Sequence, residues 1–224
     1  MNIAVLGTGM VGRSVAAGLR RIGHDVVIGT RDPQATLARV EDQADGATFA
    51  DWLRGQEGIE LASLADAAAR ADLIVLAGSG SASHDMLAAA GADHLDGTVV
   101  LDISNPLDFS AGFPPSLLIK DTDSLGEQLQ RAFPGVRVVK SLNTLTADLM
   151  ARPDLLPEGT TVFVSGDDPD AKAQVTELLT ALGHTDVIDL GGIESARGTE
   201  MFLPLWLRMM GALGTTMFNI KVVR

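Results

Sequence analysis

Apolar residues in this chain fall into short unbroken runs separated by stretches with a helical period. Runs at 2–6, 25–28, 72–77, 98–103 and 136–140 are four to six residues long and rich in Val, Ile and Leu. Such runs fit strands covered on both faces. A shorter run at 59–61 and two later ones at 161–165 and 187–190 complete the strand set. Between them lie helical patterns: one opening near residue 10 with Val15, Ala16 and Leu19 on one face, then 33–43, 63–70, 84–93, 124–133 and 170–182. The segment 45–58 is less regular, with Trp52 and Leu53 pinning it to the surface. Strands alternating with helices predict an α/β fold of Rossmann type: a doubly wound, mainly parallel sheet with helices on both faces. After residue 145 the pattern changes. A small C-terminal α/β extension, 146–224, follows a nucleotide-binding domain, 1–145, and ends in a long helix. That helix carries Met201, Phe202, Leu203, Leu205, Trp206, Met209, Met210 and Leu213. Its apolar residues occupy more than one face, predicting burial against the domain and against a second subunit.

The first strand runs into Gly7-Thr8-Gly9-Met10-Val11-Gly12, a G-x-G-x-x-G turn opening a helix, and a second strand follows. With 24 glycines in 224 residues the motif alone is weak. Its place between strand and helix makes it a dinucleotide fingerprint. An NAD site calls for a carboxylate about 20 residues after the motif, at the end of the second strand, for the ribose 2′-hydroxyl. This chain offers Gly29, Thr30 and Arg31 there. A guanidinium and a hydroxyl suit a 2′-phosphate instead, so the expected cofactor is NADP(H). Three further strand ends carry small polar loops to the same edge: Gly78 to Ser83, with Gly78 and Ser79 first, then Ser104-Asn105-Pro106, then 141–144.

A net charge of -12 and the lack of a basic cluster argue against nucleic acid and anionic membranes as partners. The absence of cysteine removes disulfides, thiolate metal sites and a cysteine nucleophile, and no metal site is expected. The apolar run 201–207 is too short for a membrane span and is broken by Pro204. The chain opens directly on a strand, without an apolar leader, which predicts a cytoplasmic protein.

The succession Gly7-Thr8-Gly9, Gly29-Thr30-Arg31, Asp102 to Pro106, Val139 to Thr144 and Gly166-Asp167-Asp168, with Glu200, Pro204 and 207–211 in the tail, resembles the F420-dependent NADP oxidoreductase family. The resemblance covers nearly the whole chain. It implies hydride transfer between NADPH and the deazaflavin coenzyme F420, and a homodimer. It also implies that Thr8, Thr30 and Arg31 hold the cofactor phosphates, while Asn143 and Leu145 line the deazaflavin; Met209, in the apolar tail, is expected to close the substrate pocket. At Asn143 the family often has a histidine, which leaves the hydride acceptor open. An imine or carbonyl reductase and a non-catalytic NADP(H)-binding redox sensor are the alternatives.

No nucleophile is evident, and hydride transfer between two rings needs none. His84 is the one histidine expected near the crevice and a weak catalytic candidate. His24 and His184 read as surface residues and His94 as a helix cap. Lys140 is either a ligand contact or an ion-pair partner. Asp167 and Asp168 read as a helix cap, and Arg197 with Glu200 as an intrahelical salt bridge.

Overall fold

The computed structural model describes residues 1–40 and 48–224. The fingerprint unit folds as expected: β1 (Asn2–Leu6), α1 (Met10–Arg21) and β2 (Asp25–Thr30). Next come α2 (Pro33–Ala38), α3 (Phe49–Arg54), β3 (Ile59–Ser63), α4 (Leu64–Ala68) and β4 (Leu73–Leu76). The helix expected over 33–43 spans Pro33–Ala38, and the remainder of that expectation falls partly on 41–47, outside the described residues. Thr48 and Asp51 form a reciprocal capping box that starts α3, so the segment around Trp52 is a regular helix.

The helix expected over 84–93 is two: α5 (Ser83–Ala90) and α6 (Ala92–Leu95). Gly91, at φ 92°, turns the chain between them. His94 caps neither end of α6; the cap positions belong to Gly91 and Asp96. β5 (Val99–Asp102) is followed by a two-residue hairpin, β6 (Leu107–Asp108) with β7 (Ser116–Leu117), where a plain loop is the natural reading of the sequence. Then come α7 (Leu125–Ala132), β8 (Arg137–Ser141), α8 (Ala147–Ala151), β9 (Thr161–Ser165), α9 (Pro169–Leu182) and β10 (Asp186–Asp189). The chain closes with α10 (Ala196–Met201), α11 (Leu203–Leu213) and an extended tail.

Eight strands form one sheet in the order β10-β9-β8-β5-β4-β1-β2-β3. All neighbours are parallel except β8 and β9. The order reverses beside β1, so the connections leaving the carboxyl ends of β1 and β4 turn to opposite faces of the sheet and leave a crevice there. Alternate residues of the central strands feed two apolar layers. One packs Ile3, Val5, Val75 and Leu101 under α1, α8 and α9. The other packs Ala4, Leu6, Ile74 and Val100 under α4, α5 and α7.

His184 is buried rather than at the surface. Its Nε2 lies 3.1 Å from the Met150 carbonyl, tying the end of α9 to α8. Burial lowers its pKa, the bond to Met150 opposing the shift. The C-terminal segment departs further from expectation. The long helix breaks at Phe202, and in α11 only Leu203 is buried; Leu205 and Leu213 are 55% and 60% exposed. Burial of this helix within its own chain is partial: Phe202, Trp206, Met209 and Met210 are half-buried, α11 packs on α10, and an apolar face is left outside. Beyond it, Phe218 stacks on Trp206 and the tail is pinned along β9 through Thr161 N–H to the Ile220 carbonyl at 3.0 Å. Among the described residues no helix is long and apolar enough to cross a membrane.

Candidate NADP site

Each glycine of the fingerprint meets a different physical demand. Gly7 sits at φ 132°, and a Cβ there would come within 2.6 Å of the Ala77 carbonyl oxygen. A Cβ on Gly12 would collide with the Gly7 carbonyl, so the helix can start this close to the strand only without one. Gly9 is the exception, with nothing within 4 Å of where its Cβ would stand. Its lack of a side chain is not required by packing; it clears the approach to the first turn of α1. That turn has no side-chain cap and no acidic residue, leaving its N–H groups and the positive end of the helix dipole directed outward. Gly9→Ala is therefore expected to keep the wild-type melting temperature within about 2 °C and to weaken dinucleotide binding. Gly12→Ala is expected to lower the melting temperature itself. Paired thermal and binding titrations check the contrast.

The space in front of Gly9 is a cavity of about 590 Å³, within the range of ligand pockets. Gly7, Thr8 and Gly9 bound it on one side; Thr30, Arg31 and Arg39 lie at a second, and Gly78, Ser79, Ala82 and Met86 form a third. Seven of the expected contacts, Gly7, Thr8, Gly9, Thr30, Arg31, Gly78 and Ser79, thus share one cavity. Met10 and Val11 do not line it. Met10 is 70% exposed at the start of α1, and the backbone N–H groups of Met10 and Val11 belong to the open first turn of that helix.

The Thr30 side of the cavity has a defined hydrogen-bond order. The Thr36 hydroxyl donates to the Asp32 carbonyl at 2.7 Å, so the 2.9 Å bond between Thr36 and Thr30 takes its proton from Thr30. The Thr30 hydroxyl then offers only a lone pair outward. Donors for an anion come from Arg31 and from Arg39, a residue the sequence reading missed because it lies beyond the second strand, past α2. Two carboxylates among the described residues line the same cavity, Asp85 and Asp32; Asp32 accepts from the Ala35 N–H at 2.9 Å as the cap of α2.

The other two strand-end loops lie beside this cavity. Gly80 touches the Asn105 carbonyl, where a Cβ would collide. The Ser83 hydroxyl donates to Ser104 Oγ at 3.1 Å. Asn105 and Asn143 clasp each other: Asn105 Nδ2 donates to the Asn143 carbonyl at 2.8 Å, and Asn143 Nδ2 to Asn105 Oδ1 at 2.9 Å. Ser104 is buried, its hydroxyl given to Asp102 at 2.5 Å, and Pro106 is buried beside it. Leu145 packs into the core, and Met209 lies on α11, half-exposed. His84 faces away: its ring is 5.2 Å from Phe133 and its Nδ1 3.7 Å from the Asp85 carboxylate. Lys140 resolves to an ion-pair partner, fully buried between Asp102 at 2.8 Å and Glu200 at 2.9 Å. Burial alone would lower its pKa, but the two carboxylates outweigh it and hold the value above the ordinary one. Glu200 is thus not paired with Arg197, which instead forks onto Glu127 from Nε at 2.8 Å. Asp168 caps α9 as expected, while Asp167 accepts from the Ile193 N–H. Among the described residues no cluster of His, Asp or Glu could hold a metal ion.

Residues 2–106 match the family model described as NADP oxidoreductase, coenzyme F420-dependent. A crystal structure from Arthrobacter sp. FB24, provisionally named an F420-dependent NADP reductase, superposes with a TM-score of 0.96 at 55% identity, covering 100% of both chains. The chain belongs to the F420-dependent NADP oxidoreductase family. It is an NADP-dependent oxidoreductase with the Rossmann-type sheet of that family. The F420-dependent NADP reductase of Methanothermobacter marburgensis is 27% identical over 93% of this chain and 92% of its own length. The metalloreductase STEAP3 of Rattus norvegicus is 29% identical over 92% of this chain, and the match spans 38% of that longer protein.

Proposed function

We propose that this family member binds NADPH in the cavity before Gly9 and exchanges a hydride between it and a deazaflavin of the F420 type. The observation that carries this reading is the joining, in one cavity, of an uncapped helix N-terminus and two arginines. The first turn of α1 would hold the pyrophosphate, and Arg31 with Arg39 the 2′-phosphate. Gly78 and Ser79 then lead the remaining half of the cofactor towards Ser104, Asn105 and Asn143. When bound, NADPH supplies the hydride, so no side chain has to act as a nucleophile or metal ligand. The chain's own task is to place two rings roughly 3 to 3.5 Å apart and exclude water. The strand-end loops suit this, because backbone and amide groups fix them. His84, turned towards Phe133, has no part in this reading.

Residues 1–145 act as the NADP-binding domain in this proposal, and 146–224 complete the acceptor side. The exposed apolar face of α11 fits a homodimer, with Leu205 and Leu213 at the contact. Sedimentation of Leu205→Lys/Leu213→Lys should show monomer where the wild type shows dimer; an unchanged mass removes α11 from the interface.

Activity decides the chemistry. Purified protein mixed with NADPH should oxidise it only when oxidised F420 is present, and should do so far more slowly with NADH. Tight NADPH binding without F420 turnover would keep the nucleotide site and reject the acceptor, directing the search to imines, carbonyls or flavins.

A further inference from the structure

Asp102, Lys140 and Glu200 form a charged group sealed within the protein. Asp102 ends β5, Lys140 stands opposite it in register on β8, and Glu200 reaches in from α10. Lys140 and Asp102 are 0% exposed and Glu200 is 1% exposed. Stability is a poor reason to keep such a group. Desolvating buried ions costs several kcal/mol each, and apolar residues of the same volume often serve as well. What the group does hold is geometry at the strand ends. Lys140 Nζ donates to the Ser104 carbonyl at 2.6 Å, and Asp102 accepts from the Ser104 N–H at 2.9 Å. Glu200 accepts from the N–H groups of Leu125 and Gly126 at 2.8 and 3.1 Å, anchoring α10 on the start of α7. The residue before it, Thr199, accepts from Asn143 Nδ2 through its carbonyl at 3.1 Å. Adjacent residues of α10 therefore reach both loops that flank the proposed nicotinamide end. Beside Asn143, Leu142 is buried at φ 57°, a conformation that a branched residue keeps only when its surroundings impose it.

We propose that Glu200 is a positioning residue for hydride transfer, setting the Ser104–Asn105 loop through Lys140 and the Asn143 loop through the turn of α10 that it anchors. The proposal rests on the reading that these loops flank the nicotinamide. Glu200 touches no reacting atom; it fixes the loops that do. Removing its charge while keeping its shape loosens the link between α10 and Lys140, and the effect falls on the nicotinamide half of the cofactor, not on the adenosine half held by Arg31 and Arg39.

The test compares wild type with Glu200→Gln using 2′,5′-ADP, which carries only the adenosine half and its phosphate, and NADPH, whose nicotinamide fluoresces. The variant should bind 2′,5′-ADP within about twofold of wild type. Its bound NADPH emission should move towards that of the free cofactor, and single-turnover hydride transfer to F420 should slow about 10- to 100-fold, the scale of a misplacement near 1 Å. Unchanged emission and rate would overturn the proposal. So would equal weakening of 2′,5′-ADP and NADPH, because that is what general loosening of the fold produces. If Glu200→Gln does not fold, Glu200→Asp, which keeps the charge balance but withdraws the carboxylate from Lys140 by one methylene, takes its place with the same readouts. A wild type inert towards F420 rejects the acceptor reading alone; the emission and 2′,5′-ADP comparison then decides the positioning role without turnover.

Discussion

Arg31→Ala will raise the dissociation constant for NADPH about 10- to 30-fold and leave that for NADH within about twofold. A hydrogen bond to a charged group is worth about 1.5–3 kcal/mol and each 1.4 kcal/mol is tenfold in affinity. Arg31 is exposed, so the lower part of that range applies. It has no protein partner among the described residues, and its removal should leave the melting temperature unchanged. The Thr30 proton is already given to Thr36, so in the proposed reading the phosphate takes its donors at this edge from the arginines. Arg31→Ala/Arg39→Ala should lose more than either single change. The NADPH loss should shrink as salt rises, since an exposed ion pair is screened within about 8 Å at physiological ionic strength. Titration of both cofactors against both variants is the check. Equal losses for NADPH and NADH would move the 2′-phosphate away from Arg31.

The cofactor half was legible in the sequence because its constraints are local. A glycine that must follow a strand and precede a helix leaves its mark at fixed spacing, and Gly7, Gly9 and Gly12 stand where the turn needs them. Parallel strands buried on both faces leave equally plain apolar runs, so the places of β1, β2, β4, β5 and β8 along the chain could be read directly. Thr30 was read as a donor because the sequence shows the hydroxyl and not its partner; Thr36, six residues on, already takes that proton. Arg39 escaped notice because α2 carries it back to the cavity, and no spacing rule marks that return.

The acceptor half was less legible for a different reason: its order comes from contacts distant in sequence. Arg197 and Glu200 have the spacing of an intrahelical pair, yet their partners are Glu127 and Lys140, about 60 to 70 positions away. A local pairing worth a few tenths of a kcal/mol yields to a buried partner. Strands β6 and β7, two residues each, are too short to show any period. α11 illustrates the reverse case. Its apolar residues were visible, but a hydrophobic pattern states that a face wants cover without saying which surface supplies it. Within the chain α11 buries little, so its pattern points outward.

Lys140→Met will destabilise the protein by about 3–5 kcal/mol, a fall of about 6 to 20 °C in melting temperature. The methionine fills nearly the same volume, so a cavity does not explain the loss. It arises because Asp102 and Glu200, both within 3 Å of the lysine nitrogen, are left in the interior without their shared cation. Glu200 keeps two N–H donors at the start of α7 and Asp102 keeps Ser104, which limits the damage to the missing charge. That makes the deficit reversible by chemistry rather than by size. Adding Glu200→Gln removes one of the two uncompensated carboxylates, and the double variant should regain more than half of the lost stability, as measured by urea unfolding with an unchanged m-value. Recovery of that kind identifies the buried charge as the source. If the double variant is instead no more stable than Lys140→Met, packing around the lysine stem holds this part of the sheet together, and the ion group contributes little to it.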